Sequence, residues 1–402
     1  MLKLNAHPAG RHFLQIPGPS PVPDRILHAM CHPTIDHRGP EFAELGFKVL
    51  NGIKGIFQTK QPVVIYPASG TGAWEAALSN TLSPGDEVLM FETGHFASLW
   101  HKMALKLGLK PQVIASPGAE HWRKGVDAQL IETQLRADRD KRIKAVCVVH
   151  NETSTGVVSD IAAVRRAIDA AGHPALLLVD TISGLASADF RHDEWGIDVS
   201  ISGSQKGLML PPGISFNAVS AKAIEASKSA KLPRSFWAWD EIIEVNKTGY
   251  WPYTPNTNLL YGLAEALDLI NDEGLQNVLA RHQHLAQTCR IAINAWGLDI
   301  QCADASAYSP VLTGVITPEH VDADRVRQII YQRFNMSLGT GLGKLKGRMF
   351  RIGHLGDCNE LTLMATLTGC EMGLQLAGVK LRDSGVQAAM DYLREHSPSS
   401  QA

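Results

Sequence analysis

Short apolar runs alternate with longer amphipathic segments through the first part of the chain. The clearest runs, AVCVV within Ile143–Val149 and ALLLVD at Ala175–Asp180, lack the two-residue alternation of a strand with one face in water. Such runs are typical of strands buried on both faces, as in a mostly parallel sheet flanked by helices. The other runs of this kind are 63–66, 87–91, 199–202 and 214–219. The pattern therefore predicts an α/β fold.

The character of the sequence changes after residue 275. A helix-like stretch, Asn277–Trp296, leads to apolar runs at 310–316 and 348–352 and then to a final helical region. We expect four parts from this pattern. They are an N-terminal arm (1–20), a large α/β domain (21–275), a smaller C-terminal α+β domain (276–396) and a frayed tail (397–402).

The composition and charge of the chain limit the binding partners and the cellular location that we expect for the protein. The chain has 402 residues, 45% hydrophobic and 19% charged, as is usual for a globular protein. Its 38 Lys and Arg nearly balance its 40 Asp and Glu, so bulk charge attracts neither nucleic acid nor an anionic membrane. The six cysteines include no C-x-x-C pair, and no apolar run has the length of a signal peptide or membrane span. We expect a cytoplasmic protein without nucleic-acid or membrane partners.

Two candidate ligand positions directly follow strand-like runs. The turn Ser69-Gly70-Thr71 follows VVIY and opens a helix-compatible run. Its backbone N–H groups and two hydroxyls suit a phosphate at a helix N-terminus, although a plain tight turn explains the same residues. Asp180 closes ALLLVD, at the strand end where ligands collect in open α/β sheets. A helix cap or a structural hydrogen-bond acceptor would explain Asp180 equally well.

Several basic residues could take part in catalysis or binding, but each also has a simpler structural explanation. Lys206 lies in SGSQKG just past the run DVSIS, exposed for attack on an aldehyde once its ordinary pKa of about 10.4 is lowered. Otherwise it is a solvated surface lysine. Arg351 in FRIGHLG either forms a buried ion pair or binds a ligand carboxylate. His282 and His284 form an H-x-H pair without a third ligand at metal spacing, which favours a solvated helix face and no metal.

The candidate residues described above are more informative in combination than one at a time. A phosphate-binding turn, a strand-end Asp, a lysine after the next strand and a late Arg are the components of a pyridoxal phosphate enzyme acting on amino acids. Longer motifs accompany them along the chain: PGPS (17–20), PTIDHRGPEF (33–42), SGTGAWE (69–75), HNETSTGV (150–157), LLVDTISG (177–184), SGSQKGLMLPPG (202–213), YTPNTNLLYGL (253–263) and FRIGHLG (350–356). In this order they resemble the class V (fold type I) pyridoxal phosphate aminotransferases, most closely the bacterial serine–glyoxylate aminotransferases.

The resemblance implies a role for each matching residue. Lys206 would form the Schiff base with the cofactor and shuttle the substrate α-proton, Asp180 would pair with the pyridinium N–H, and Arg351 would bind the substrate carboxylate. The other cofactor contacts would be Ser69, Gly70, Thr71 and Gln205 at the phosphate, Phe96 on the ring, Thr153 near the 3-hydroxyl, and Trp251 and Thr254 from the partner subunit of a homodimer. Relatives usually carry Tyr in place of Trp251, and many carry Trp in place of Phe96.

The resemblance implies transfer of an amino group from an amino acid to glyoxylate. L-Serine is the best candidate for the donor, and the products would then be glycine and hydroxypyruvate. An aspartate– or alanine–glyoxylate aminotransferase stays open, because the motifs serve features common to all amino donors. Arg38 in DHRGP is either a reader of the substrate side chain or part of a surface turn. A lyase or desulfurase of the same fold would need a reactive cysteine, and the candidate is Cys358, whose thiol pKa Asp357 would raise.

Overall fold

The computed structural model describes residues 10–115 and 122–396. Residues 1–9 of the predicted arm and the predicted tail at 397–402 lie outside this range. In chain order the strands are β1 (Phe13–Gln15), β2 (Val63–Tyr66), β3 (Glu87–Glu92), β4 (Lys110–Ala115), β5 (Ile143–Val149), β6 (Asn151–Glu152), β7 (Val157–Val158), β8 (Leu176–Asp180), β9 (Val199–Gly203), β10 (Ser215–Val219), β11 (Asp299–Ile300), β12 (Leu312–Ile316), β13 (Met336–Thr340) and β14 (Met349–Gly353). The helices are α1 (Asp24–Met30), α2 (Pro40–Phe57), α3 (Gly70–Thr81), α4 (His95–Lys106), α5 (Ala128–Ala137), α6 (Ile161–Ala170), α7 (Ala221–Ser227), α8 (Trp239–Asn246), α9 (Thr257–Glu273), α10 (Leu275–Trp296), α11 (Ala323–Phe334), α12 (Glu360–Leu376) and α13 (Gly385–His396).

The larger sheet has seven strands in the order β2-β10-β9-β8-β5-β3-β4. Neighbouring strands from β9 to β4 pair in parallel, whereas β10 is antiparallel to both β9 and β2. All six strands expected from the apolar runs before residue 275 lie in this sheet, and the prediction of a mostly parallel α/β fold is confirmed. The seventh strand, β4, forms one edge and is mostly exposed.

Both faces of this sheet are buried, which explains the absence of alternation in its strands. Alternate residues of β8, Leu177 and Val179, join a core with α2, α5, α6 and α9. Their neighbours Leu176 and Leu178 join the core on the opposite face, with α3, α4 and α8. Every residue of β8 and β9 is buried. Apolar side chains therefore face helices on both sides, as parallel sheets require.

A smaller sheet follows in the C-terminal part, with the order β1-β13-β14-β12-β11. Helices α10 to α13 pack on it around a separate core that includes Ile293, Val326 and Leu367. Its edge strand β1 comes from the N-terminal arm and pairs in parallel with β13. The arm thus belongs to this sheet by hydrogen bonding, although it is far away in sequence. Within the residues described here, no helix combines the length and apolarity that crossing a membrane requires.

Candidate active site

A cavity of about 240 Å³ lies beyond the carboxyl ends of β2, β5, β8 and β9. These strands point in the same direction, so the residues that follow them meet at one edge of the sheet. Eight of the predicted site residues line the cavity: Ser69, Gly70, Thr71, Phe96, Thr153, Asp180, Gln205 and Lys206. The other lining residues are Gly18, Trp74, Val149, Asn151 and Ile182.

The N-terminus of α3 forms one wall of the cavity. Ser69 precedes the helix in an extended conformation and makes no side-chain cap. Gly70 has no room for a Cβ, which would lie 2.3 Å from Cδ1 of Ile182. A Cβ placed on Gly203 would lie 3.0 Å from Oε1 of Gln205 and 3.5 Å from the Gly70 nitrogen, so these two polar atoms share one side of the turn. Uncapped helix N–H groups beside a glutamine amide suit a phosphate.

Asp180 ends β8 with its carboxylate held from two sides. The indole N–H of Trp74 donates to Oδ2 at 2.9 Å, and the backbone N–H of Ile182 donates to Oδ1 at 2.7 Å. Only 4% of the residue is exposed. Burial raises the pKa of the Asp180 carboxyl to about 7, and the charge of Glu152 adds to the effect. A cationic partner in the cavity would favour the carboxylate form and draw the pKa down again.

Lys206 lies in the turn after β9, with its side chain buried. Its Nζ donates to the Pro17 carbonyl at 2.5 Å. Burial, together with the nearby guanidinium of Arg351, lowers the pKa of the Lys206 amine to about 7 against the opposing charges of Asp180 and Glu152. The solvated-lysine alternative is therefore excluded. An amine with this pKa is substantially neutral near pH 7, which both a nucleophile and a base require.

Arg351 is carried by β14 of the smaller sheet and is 6% exposed. Its Nε donates to the Thr340 carbonyl at 2.8 Å and its Nη1 to the Thr153 carbonyl at 2.6 Å. These bonds fix the plane of the guanidinium beside a residue that lines the cavity. Burial lowers the pKa of Arg351 to about 10, so the side chain stays cationic at neutral pH.

Glu152 is a buried residue of the site that the sequence patterns did not single out. Its Oε1 accepts hydrogen bonds from the backbone N–H and the hydroxyl of Ser154, at 3.0 and 2.6 Å, and from the Phe96 N–H at 3.4 Å. Its Oε2 accepts from the Ala97 N–H at 3.1 Å. The carboxylate thus accepts hydrogen bonds from N–H groups in the first turn of α4, which have no partner within the helix and which stabilise negative charge. It also orients the helix that carries Phe96.

Replacement of Glu152 by Gln is expected to destabilise the protein. The variant keeps one acceptor oxygen, but its amide nitrogen would face a buried backbone donor, which costs about 1–3 kcal/mol. Denaturant unfolding of the apoprotein measures this loss. Glu132→Gln is the matched control, because Glu132 pairs with Arg136 on the exposed face of α5, and we expect a change below about 1 kcal/mol there. Equal changes in the two variants would contradict the capping role.

The stability of the apoprotein is expected to depend on pH through Asp180. Its pKa in the folded chain, about 7, lies above its ordinary value of 3.8. Between these values the folded state holds a proton that the unfolded state has released, so this contribution to stability falls as pH rises from about 4 to 7. Asp180→Asn removes the titration. The Tm of the variant relative to wild type should therefore rise across this window, and a pH-independent difference would contradict the assignment.

Four predicted site residues are not among those that line the cavity: Arg351, which lies beside Thr153, and Trp251, Thr254 and Arg38. The indole N–H of Trp251 donates to the Ile65 carbonyl at 3.1 Å, within the core. Thr254 is exposed in the loop before α9. Arg38 is also exposed, in the turn before α2, where its backbone N–H donates to the Asp36 carboxylate. Their proposed roles stay predictions.

The histidine pair on α10 is only partly as expected. His284 is partly exposed and pairs with Glu360 at 3.0 Å. His282 is buried; Nδ1 contacts the Val278 carbonyl and Nε2 accepts from the Gly356 N–H. The prediction of a solvated face is wrong for His282, because α10 packs that side against the loop after β14. Within residues 10–115 and 122–396, no cluster of three His, Cys, Asp or Glu side chains could hold a metal.

The chemistry of the cavity fits pyridoxal phosphate. Two buried side-chain oxygens of its lining, Gln205 Oε1 and Asn151 Oδ1, have no hydrogen-bond partner among the described residues. A buried amine with a lowered pKa, a buried carboxyl and an uncapped helix N-terminus line the same cavity. They match the aldehyde, ring nitrogen and phosphate of this cofactor.

Comparison with known proteins agrees with this site. Residues 17–342 match the family "Aminotransferase class-V". The chain is 47% identical to a serine–glyoxylate aminotransferase of Methylorubrum extorquens, over 96% of this chain and 97% of the relative. It is 42% identical to an L-aspartate–glyoxylate aminotransferase of Paracoccus denitrificans, over 96% and 97%. Its fold is similar to the solved pyridoxamine–pyruvate aminotransferase from Mesorhizobium loti, with a TM-score of 0.88 and 27% identity, covering 96% of this chain and 98% of that one. The chain belongs to the class-V aminotransferase family, in the fold type I group of enzymes that use pyridoxal 5′-phosphate.

Proposed function

We propose that this enzyme transfers the amino group of L-serine to glyoxylate, giving hydroxypyruvate and glycine. The observation that carries the chemistry is the buried Lys206 amine, whose pKa of about 7 makes it available beside the Asp180 carboxyl and the Arg351 guanidinium. The choice of substrates rests on the relative from Methylorubrum extorquens, which has the higher identity of the two amino-acid–glyoxylate aminotransferases compared.

The cofactor would be held by residues that line the cavity. Ser69, Gly70, Thr71 and Gln205 would bind its phosphate at the N-terminus of α3. Phe96 would pack on the ring, Thr153 would lie near the ring hydroxyl, and Asp180 would accept the N–H of the ring nitrogen. Thr153 has its hydroxyl oriented by Ser183, to whose Oγ it donates at 2.8 Å. When bound, pyridoxal phosphate supplies an electron sink for the bond that breaks at the substrate Cα.

The chain's own residues would bind the substrate and move its proton. Nη2 of Arg351 makes no hydrogen bond to a described residue, so it is the nitrogen that would first meet the substrate carboxylate. Lys206 would attach the cofactor. Its amine, once freed by the substrate, would take the proton from the substrate Cα and deliver it to the cofactor carbon. Burial of both groups keeps water from competing for this proton.

The proposal includes a cytoplasmic homodimer with shared active sites and two domains that meet at residues 275 and 276. Trp251 and Thr254 would then approach the phosphate of the partner subunit. Exposure of Thr254 leaves its hydroxyl available for such a contact, whereas Trp251 would have to exchange its bond to Ile65. Arg38 is proposed to read the substrate side chain. Sedimentation velocity of the holoenzyme tests the dimer, and a monomer at micromolar concentration would refute it.

A donor panel tests the choice of substrate. Purified holoenzyme is assayed with glyoxylate and, in turn, serine, aspartate and alanine. Serine should give the highest kcat/KM. The assignment would be dropped if aspartate exceeded serine by about tenfold, a difference of about 1.4 kcal/mol in transition-state binding.

The desulfurase alternative lacks a suitable thiol. Cys358 is 4% exposed in the core of the smaller sheet and its helices. Burial raises the pKa of its thiol to about 12, and Asp357 adds to the rise. We expect Cys358→Ala to retain transamination within about twofold of wild type, since the residue does not line the cavity. Release of sulfide from cysteine by the wild type, lost in this variant, would reverse the conclusion.

A further inference from the structure

The five residues Ile16, Pro17, Gly18, Pro19 and Ser20 form a strap between the two sheets. The strap leaves β1, the edge strand of the smaller sheet, and ends beside the turn that carries Lys206. Ser20, its last residue, is 1% exposed.

Ser20 makes two hydrogen bonds to consecutive carbonyl groups of the lysine turn. Its backbone N–H donates to the Gln205 carbonyl at 3.0 Å, and its hydroxyl donates to the Lys206 carbonyl at 2.8 Å. The carbonyl of Lys206 also accepts from the Met209 N–H at 3.0 Å, so removal of the buried Ser20 hydroxyl would take away one of its two donors and the one that ties it to the strap.

The middle of the strap touches the reactive side chain directly. The Pro17 carbonyl accepts from Nζ of Lys206. A Cβ at Gly18 would lie within 2.6 Å of Cδ, Cε and Nζ of Lys206, and the Gly18 φ of +98° also favours glycine. Both the main chain and the amine of the lysine are therefore in contact with the strap.

The start of the strap packs against the strand that carries Arg351. A Cβ on Gly353, at the end of β14, would lie 2.3 Å from the Ile16 carbonyl oxygen. A Cβ on Gly339, which pairs with Arg351 across the sheet, would lie 2.8 Å from Cδ of Pro17. The strap is thus held closely at both ends, one beside the guanidinium and the other beside the lysine.

We propose that Ser20 is a positioning residue, which fixes the Lys206 main chain through its two hydrogen bonds and so sets the amine relative to Arg351. The inference rests on the proposed transamination, because it concerns the amine that moves the proton. It adds a residue that touches neither substrate nor cofactor and acts through Lys206.

The test compares Ser20→Ala with Ser79→Ala in the holoenzyme. Ser79 is equally buried and donates its hydroxyl to the Ala76 carbonyl, but it lies near the far end of α3. Four quantities are measured: kcat per bound cofactor, KM, the pH midpoint of the cofactor's visible absorption, and the Tm of the apoprotein. Ser20→Cys, which keeps the size of the side chain with a weaker donor, replaces Ser20→Ala if that variant does not fold.

For Ser20→Ala we expect kcat to fall about tenfold with KM within about twofold of wild type, since the carboxylate contact is untouched. The absorption midpoint, which reports protonation of the nitrogen that joins Lys206 to the cofactor, should rise by about half a pH unit or more, as a less constrained linkage moves toward the pKa of an unconstrained imine. Ser79→Ala should change neither. A wild-type midpoint in Ser20→Ala, or a fall in activity that follows Tm and bound cofactor alone, would overturn the proposal.

The two proposals can fail separately. If the wild type turns over no amino donor with glyoxylate, the proposed function fails, but the absorption midpoint needs no donor and still reports on Lys206. If the wild type is active and the midpoint does not move, the role of Ser20 fails and the proposed function stands.

Discussion

Lys206→Ala is expected to abolish transamination, lowering kcat by at least about a thousandfold. The variant loses the only amine among the described residues that line the cavity, and with it both the attachment point of the cofactor and the base. Borohydride reduction followed by mass measurement should fix pyridoxal phosphate covalently to the wild type but not to the variant.

Lys228→Ala is the control for this experiment. Lys228 pairs with Glu225 at the exposed end of α7, and its side chain is 67% exposed. We expect wild-type activity and labelling in the control. Covalent label on the Lys206→Ala protein at the wild-type level would show that another lysine carries the cofactor, and the proposed mechanism would be abandoned.

Asp180→Asn should retain the cofactor more weakly and lose most of kcat, about a hundredfold. An amide cannot supply the negative charge that would keep the cofactor's ring nitrogen protonated, which is the electrostatic contribution expected of this residue. It also cannot accept from both Trp74 and Ile182, which donate to the two carboxylate oxygens. Steady-state kinetics at saturating cofactor and equilibrium dialysis of pyridoxal phosphate measure the two effects.

Trp74→Phe separates charge from hydrogen bonding at the same carboxylate. It removes the 2.9 Å bond to Oδ2 but leaves the charge and the Ile182 bond. We expect this variant to lose less than about tenfold in kcat. Full activity in Asp180→Asn would mean that the pairing with the ring nitrogen is wrong, whereas equal losses in both variants would assign the effect to geometry.

Much of the larger sheet could be predicted because its strands are buried on both faces. Apolar runs such as 143–149 and 176–180 indicate strands that are covered by helices on both faces of the sheet. Because parallel strands end at the same edge of the sheet, Asp180 and Lys206 are then expected at that edge. The edge strand β4 was not predicted, because its residues are mostly exposed and carry no apolar run. Nor was β13, because Ser337, Gly339 and Thr340 interrupt its apolar positions.

Contacts between distant parts of the chain could not be found in local patterns. Glu152 and the helix N–H of Phe96 are 56 positions apart, and neither capping nor periodicity links them. Ser20 and the Lys206 carbonyl are 186 positions apart. Such pairs arise from tertiary packing between elements that are distant in sequence, so motif resemblance located the neighbourhood of these residues but not their bonds.

The origin of β1 has a consequence for the order in which the enzyme forms during translation. Residues 13–15 leave the ribosome early, but their hydrogen-bonding partners at 336–338 are made much later. Because domains fold largely as units during synthesis, the larger sheet has time to assemble while this short segment is still unpaired. The earliest described strand to be translated is thus among the last to dock, and we expect the lysine amine to meet the Pro17 carbonyl only after residues 336–338 have been made.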